Sequence, residues 1–183
     1  KAKYKNRMII YYASKQKDLG ACKSRKVLSP EEAYGNFKNG GVAKLDGNGK
    51  AMLKIKCPRP YREDGITYKS HVHFIVANRT GTGWEDNLLT QTVVCELNDE
   101  DMMKAVKSGC HLILNALPFE YYVKDRIPNS LPLDHNLVLD KLSKKEVVEY
   151  IRKMLVHNRK LCESVNKKEL DLMDIPIITY CYD

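Results

Sequence analysis

Three residues stand out for the chemistry their types and positions could support. His71 and His73 flank Val72 in the run Ser70-His71-Val72-His73-Phe74, which reads as strand. Alternate residues of a strand point the same way, so the two imidazoles can share one ion. They can equally be polar residues that face solvent or bond across a sheet. The third residue is Cys181, directly after the apolar run 175–180. A Cys at the carboxyl end of a parallel strand sits where backbone amides favour an anion. That setting lowers a thiol pKa and makes a nucleophilic thiolate available; the alternative is one more small buried side chain. His111, His135 and His157 fall on a strand end, a loop and a helix, with no spacing that links them. Trp84 lies in a polar loop and reads as a local packing anchor.

The elements that must position these residues fall into two parts. Residues 8–12 form a compact apolar-aromatic run. Ser29-Pro30-Glu31-Glu32 is a helix start, with a capping Ser, Pro at the first position and an acid at the third. Gly35 and Asn39-Gly40-Gly41 keep that helix brief. Strands at 42–45 and 50–56, joined by Asp46-Gly47-Asn48-Gly49, are expected to pair as a hairpin, because Leu53 and Ile55 alternate with Lys54 and Lys56. A further strand is expected at 68–77, followed by a loop at 78–87. Short strands joined by turns argue for a β-sandwich over 1–91.

From Thr92 the pattern alternates between strand and helix. A short strand at 93–97 precedes Asn98, which caps a helix opened by Asp99, Glu100 and Asp101. Met102, Met103 and Val106 give that helix an apolar face, and Ser108-Gly109 closes it. A strand buried on both faces follows at 111–115. One long helix is expected from Ser143, with Glu146 completing a capping box and Val147, Ile151, Leu155, Leu161 and Val165 at helical spacing. A last strand at 175–180 completes a parallel sheet. The fold class is thus α+β, a β-sandwich module followed by an α/β domain over 92–183.

The 183 residues carry 31 basic and 23 acidic side chains, a formal charge of +8. Residues 1–26 hold nine Lys or Arg and one acid, so this segment accounts for the whole surplus. It reads as a solvated basic arm; attraction to nucleic acid is the less favoured alternative and would weaken steeply with salt. At 43% apolar residues the chain can bury a core, which excludes a disordered protein. The longest apolar runs, 8–13 and 111–118, fall short of the roughly 20 residues a bilayer requires, so no membrane insertion is expected. No secretory leader is visible. Six scattered cysteines (Cys22, Cys57, Cys95, Cys110, Cys162 and Cys181) without a CxxC pair read as reduced thiols in an intracellular, cytoplasmic-type compartment. The Lys- and Asn-rich usage fits an AT-rich genome, such as that of a large DNA virus or a protist.

Two stretches resemble known families. Cys95-Glu96-Leu97-Asn98-Asp99-Glu100-Asp101, then Leu112-Ile113-Leu114-Asn115-Ala116-Leu117-Pro118-Phe119-Glu120-Tyr121, Arg126-Ile127-Pro128-Asn129-Ser130-Leu131-Pro132-Leu133 and Ile175-Pro176-Ile177-Ile178-Thr179-Tyr180-Cys181 resemble, in order, a rhodanese-like domain over about 93–183. The resemblance implies that Cys181 is the nucleophile of a thiosulfate-type sulfurtransferase, taking sulfur as a persulfide or attacking an oxyanion. Asn115, Leu117 and Asn129 replace the family's Asp, Arg and Gly. Only Tyr182 and Asp183 follow the Cys, so either the anion-binding loop is absent or the domain continues past Asp183.

Leu45-Asp46-Gly47-Asn48-Gly49-Lys50-Ala51-Met52-Leu53, Cys57-Pro58-Arg59-Pro60-Tyr61 and Ser70-His71-Val72-His73-Phe74 are similar to the core of intradiol ring-cleavage dioxygenases, over about 40–77. That family is a β-sandwich holding a non-haem iron with two Tyr and two His, and the matching positions are Tyr61, His71 and His73. The second Tyr has no match at the family's distance; Tyr34, Tyr11 and Tyr12 lie nearby. Tyr68 replaces a basic residue that usually precedes the His pair.

Three functions follow as expectations. The first is a sulfurtransferase or oxyanion-binding protein centred on Cys181, with a sulfur donor or acceptor, or a protein, as partner. The second is a catalytically inactive interaction or structural protein built from two degenerate enzyme folds. The third is a non-haem iron dioxygenase-like protein using Tyr61, His71 and His73.

Overall fold

A computed structural model describes residues 3–17, 19, 28–133 and 142–181. It divides into one unit of Lys1–Lys17 with Val27–Glu96, and a second around Leu97–Asp183. In chain order the first unit holds β1 (Met8–Ala13), α1 (Pro30–Tyr34), β2 (Gly40–Lys44), β3 (Tyr61–Glu63), β4 (Ile66–Tyr68), β5 (His71–Val76) and β6 (Leu89–Thr92). Four of these strands form an antiparallel sheet in the order β2-β1-β5-β6. In β1, Ile9, Tyr11 and Ala13 are buried while Met8 and Ile10 are exposed, the alternation of a strand with one covered face. β2 lies close against β1 at Gly40, where a Cβ would stand 2.4 Å from the Tyr11 carbonyl oxygen. That approach requires glycine.

Residues 50–56 do not form the hairpin strand expected of them. They belong to no ladder, yet Ala51, Leu53 and Ile55 pack on the core while Met52, Lys54 and Lys56 stay exposed. Side chains supply the backbone bonds that a neighbouring strand would have given. Lys56 N donates to Asn39 Oδ1 at 2.7 Å, Asn39 Nδ2 to Lys56 O at 2.9 Å, and the Tyr11 hydroxyl lies 3.4 Å and 3.5 Å from Lys54 N and O. Period-two alternation thus records a buried face and not the presence of a pairing partner.

The strand expected over 68–77 is two strands, broken at Lys69-Ser70. β4 turns back on β3 through Asp64 and Gly65, at φ 49° and 77°, the positive-φ pair of a tight hairpin. α1 carries the expected capping box, with Ser29 accepting from Glu32 N and Glu32 accepting from Ser29 N.

The reading of every cysteine as reduced is corrected. Cys57 and Cys95 form a disulfide across 38 residues, tying 50–57 to the chain after β6. Cys110 is also disulfide-bonded, while Cys162 and Cys181 are free. Cys22 lies outside the described residues, as do His135 and part of the basic arm.

The second unit runs α2 (Asp99–Ser108), β7 (Leu112–Asn115), α3 (Phe119–Lys124), β8 (Leu131–Pro132), α4 (Lys144–Leu155), α5 (Arg159–Asn166), a 3-10 turn at Leu172–Asp174, and β9 (Ile177–Tyr180). The expected parallel sheet is present, in the order β8-β7-β9 with β7 buried throughout. Residues 93–97 do not contribute the strand expected to open it; β6 ends at Thr92 in the antiparallel sheet. The long helix is two helices. Asn158 interrupts it, its Oδ1 capping α5 at Leu161 N and its Nδ2 donating to His111 O at 3.1 Å. Leu112, Leu114, Leu155, Leu161, Leu170 and Ile175 form this unit's core. No helix among the described residues is long and apolar enough to cross a membrane.

Candidate functional site

Four polar atoms from three elements of the first unit converge on one point. His71 Nε2 lies 3.0 Å from Tyr34 Oη, 3.0 Å from His73 Nε2 and 3.5 Å from Tyr61 Oη. His71 and His73 are brought together as alternate residues of β5. Tyr61 arrives from β3, and its ring stacks on that of Tyr68 directly opposite in the hairpin, at 5.2 Å and 16°. Tyr34 is the last residue of α1. The bridge between Leu28 and Tyr61 holds the approach to that helix against β3. Tyr61 is 5% exposed and His71 8%.

The partners behind the imidazoles fix how the rings point. His71 Nδ1 bonds to the Lys69 carbonyl, which can only accept, so this ring carries its proton on Nδ1 and turns a bare Nε2 toward the cluster. His73 Nδ1 meets Thr90 Oγ1 at 2.8 Å. A single lone pair on His71 Nε2 therefore has three polar neighbours, more than one nitrogen can satisfy as an acceptor.

The spacing has a simple geometric reading. Ligand atoms about 2.0–2.1 Å from one small cation lie about 2.9 Å apart at right angles and about 3.3 Å apart in a tetrahedron. The observed 3.0, 3.0 and 3.5 Å fit donors of that kind. Among the described residues no group of three or more His, Cys, Asp or Glu gathers to hold a metal. A cation in the first unit would rest on phenols as well as imidazoles.

Burial disfavours charge at this point. It raises the Tyr34 phenol far above the ordinary range, with the hydrogen bond to Tyr61 adding to the effect. It also lowers His73, helped by the neighbouring His71, so His73 is neutral at pH 7. A cation among these atoms reverses the preference at the phenols, because its charge stabilises phenolate. Tyr12 and Phe37 complete an aromatic wall, Tyr12 packing 5.3 Å from both Phe37 and His73.

Of Tyr11, Tyr12 and Tyr34, Tyr34 is the one whose hydroxyl reaches His71. Tyr11 turns its hydroxyl to Lys54, and Tyr12 lends a ring to the wall. No spacing signal pointed to Tyr34. The nearest clue is its place at the end of a helix whose start and stop were both legible.

Cys181 is exposed, immediately after β9 at the edge of the parallel sheet. Two amides at this end of the sheet are already engaged. Leu117 N donates to Asn115 Oδ1 at 2.7 Å and Ile127 N to Tyr180 Oη at 3.0 Å. Asn115 is fully buried, and with Ser130 it completes a network around the Tyr180 hydroxyl. Trp84 bridges to Ala77, is 46% exposed and lines an open groove of about 500 Å³ with Met8, Val42 and Arg79. His111 is buried and His157 exposed, far from one another in role. No family model matches this chain, and neither a curated protein nor a solved structure is found to match it.

Proposed function

We propose that the first unit carries a non-haem metal centre built from Tyr34, Tyr61, His71 and His73, and that the protein is a non-haem iron dioxygenase-like oxygenase. The convergence of two phenols and the His73 imidazole within 3.0–3.5 Å of His71 Nε2 carries this reading. The stretch resembling the intradiol dioxygenases supplies three of those residues, and Tyr34 fills the place of the fourth. What ferric iron supplies in such a site is Lewis-acid and redox activation of an aromatic diol toward dioxygen.

The chain's own residues prepare the site for that work. His71 holds its proton at Nδ1 against the Lys69 carbonyl and keeps Nε2 unprotonated. His73 is neutral at pH 7, so its lone pair needs no deprotonation. Tyr34 keeps its proton at Oη, and a metal held there would require its release, so metal binding would weaken as pH falls. The Tyr61–Tyr68 stack sets the angle of the Tyr61 ring, and Tyr12 packs between Phe37 and His73. The Cys57–Cys95 disulfide supports an oxidising environment in place of the reducing compartment read from the scattered thiols.

Loading the purified chain with one equivalent of ferric iron tests the proposal. A phenolate-to-iron charge-transfer colour is expected, lost in His71→Ala and altered in Tyr34→Phe and Tyr61→Phe, together with dioxygen uptake when an aromatic diol is added. A chain that stays colourless and metal-free overturns it. A second reading makes Cys181 a sulfur acceptor, favoured by an exposed free thiol at the carboxyl end of a parallel strand. Attack of the Cys181 thiolate on the outer sulfur of thiosulfate breaks its S–S bond and leaves sulfite, so a persulfide on Cys181 with one equivalent of sulfite supports that reading, and its absence sinks it.

A further inference from the structure

The geometry points to Thr90 as the residue that positions His73 for metal binding, an inference that rests on the proposed Tyr34, Tyr61, His71 and His73 centre. Antiparallel register places Thr90 of β6 directly opposite His73 of β5. Residues so paired have neighbouring side chains, and here Oγ1 reaches His73 Nδ1 at 2.8 Å. The two imidazoles are therefore held by different means. His71 is locked by a main-chain carbonyl two residues before it, which no substitution removes. On its Nδ1 side His73 is held by one side-chain hydroxyl.

That hydroxyl suits both states of the ring. A hydroxyl can donate or accept. With no cation present, His73 Nε2–H can point at His71 Nε2, and Thr90 then donates to the bare Nδ1. Were a cation bound, Nε2 would offer its lone pair, the ring proton would sit on Nδ1, and Thr90 would accept the hydrogen bond from Nδ1–H. Thr90 thus keeps the ring plane fixed while the tautomer changes. The outer partner of a metal-ligating imidazole typically accounts for tenfold to hundredfold in metal affinity. Thr90 is exposed, so solvent water partly replaces the lost bond, and the lower end of that range is expected.

The test compares ferric iron titrations of the full chain with those of Thr90→Val and Thr90→Ser, read by affinity and by the position of the charge-transfer band. Val keeps the shape and strand preference of Thr at an exposed strand position. A circular dichroism spectrum checks that each variant is folded. About tenfold weaker binding and a shifted band are expected for Thr90→Val, with Thr90→Ser close to the unaltered chain. Thr90→Val binding like the unaltered chain, or Thr90→Ser failing as badly as Thr90→Val, overturns the role of Thr90 and leaves the centre standing. No binding by the unaltered chain overturns the centre, and the role of Thr90 with it.

Discussion

Replacing Cys57 and Cys95 together by Ser removes a cross-link that spans 38 residues. The loop-closure entropy returned to an unfolded chain by opening a loop of that size is worth about 4 kcal/mol at 25 °C. Domains are commonly stable by about 5–15 kcal/mol, so a large share of the first unit's stability is at stake. The site should feel the loss. Cys57 leads straight into Pro58-Arg59-Pro60-Tyr61, and Pro58 is fully buried. Ser70 Oγ donates to Pro58 O at 2.8 Å and Ser14 Oγ to Arg59 O at 2.6 Å, anchoring the run that delivers Tyr61. Tyr61, His71 and His73 all lie inside the closed loop, and Tyr34 lies outside it. Urea unfolding followed by tryptophan fluorescence reads this unit selectively, because Trp84 is the only Trp of the chain and belongs to it. Three samples are compared: the oxidised chain, the chain with reductant, and the double Ser variant. The last two should unfold together, well below the first, and the double Ser variant, which needs no reductant, should bind ferric iron more weakly. A difference under about 1 kcal/mol, the scale of one exposed ion pair, would refute the reasoning.

Three further outcomes are expected. Burial, then His71, holds the His73 imidazole below its ordinary value of 6.5, so the unfolded chain binds more protons in the window below it. Stability is then full above about pH 6.5 and is lost as pH falls through and below that value; Trp84-monitored unfolding across a pH series checks this, and His73→Gln should flatten the acid limb. Leu161→Ala, at a core position with no exposure, should cost the second unit about 2–5 kcal/mol in denaturation followed by helical circular dichroism. Without reductant, iodoacetamide should label exposed Cys181 ahead of half-buried Cys162 and leave Cys57, Cys95 and Cys110 untouched, as peptide mapping would show.

What the sequence determined by itself is whatever depends on near neighbours. The capping boxes at Ser29 and Ser143, the Asn98 cap and the left-handed Gly109 stop all use groups within a few residues, and all are present. The same holds for the pairing of His71 and His73 on one side of a strand, which follows from backbone geometry. The apolar run at 112–115 announced a strand buried on both faces, because few other environments accept it.

Tertiary structure decided what alternation and spacing leave open. The pattern at 50–57 shows which side chains are buried and not which groups satisfy the backbone, and here Asn39 and Tyr11 do so in place of a strand. The helical spacing after Ser143 runs on through Asn158, whose side chain leaves the helix to cap the next one and bind His111. Cys57 and Cys95 carry no local mark of their partnership, since a disulfide depends on two Cα atoms being brought to 5.7 Å through space. Tyr34 is the clearest case. It lies 37 residues from His71 and enters the site only because a short capped helix and a hairpin meet beside β5. A ligand set is a property of positions in space, and sequence spacing reports it only where one rigid element carries more than one member.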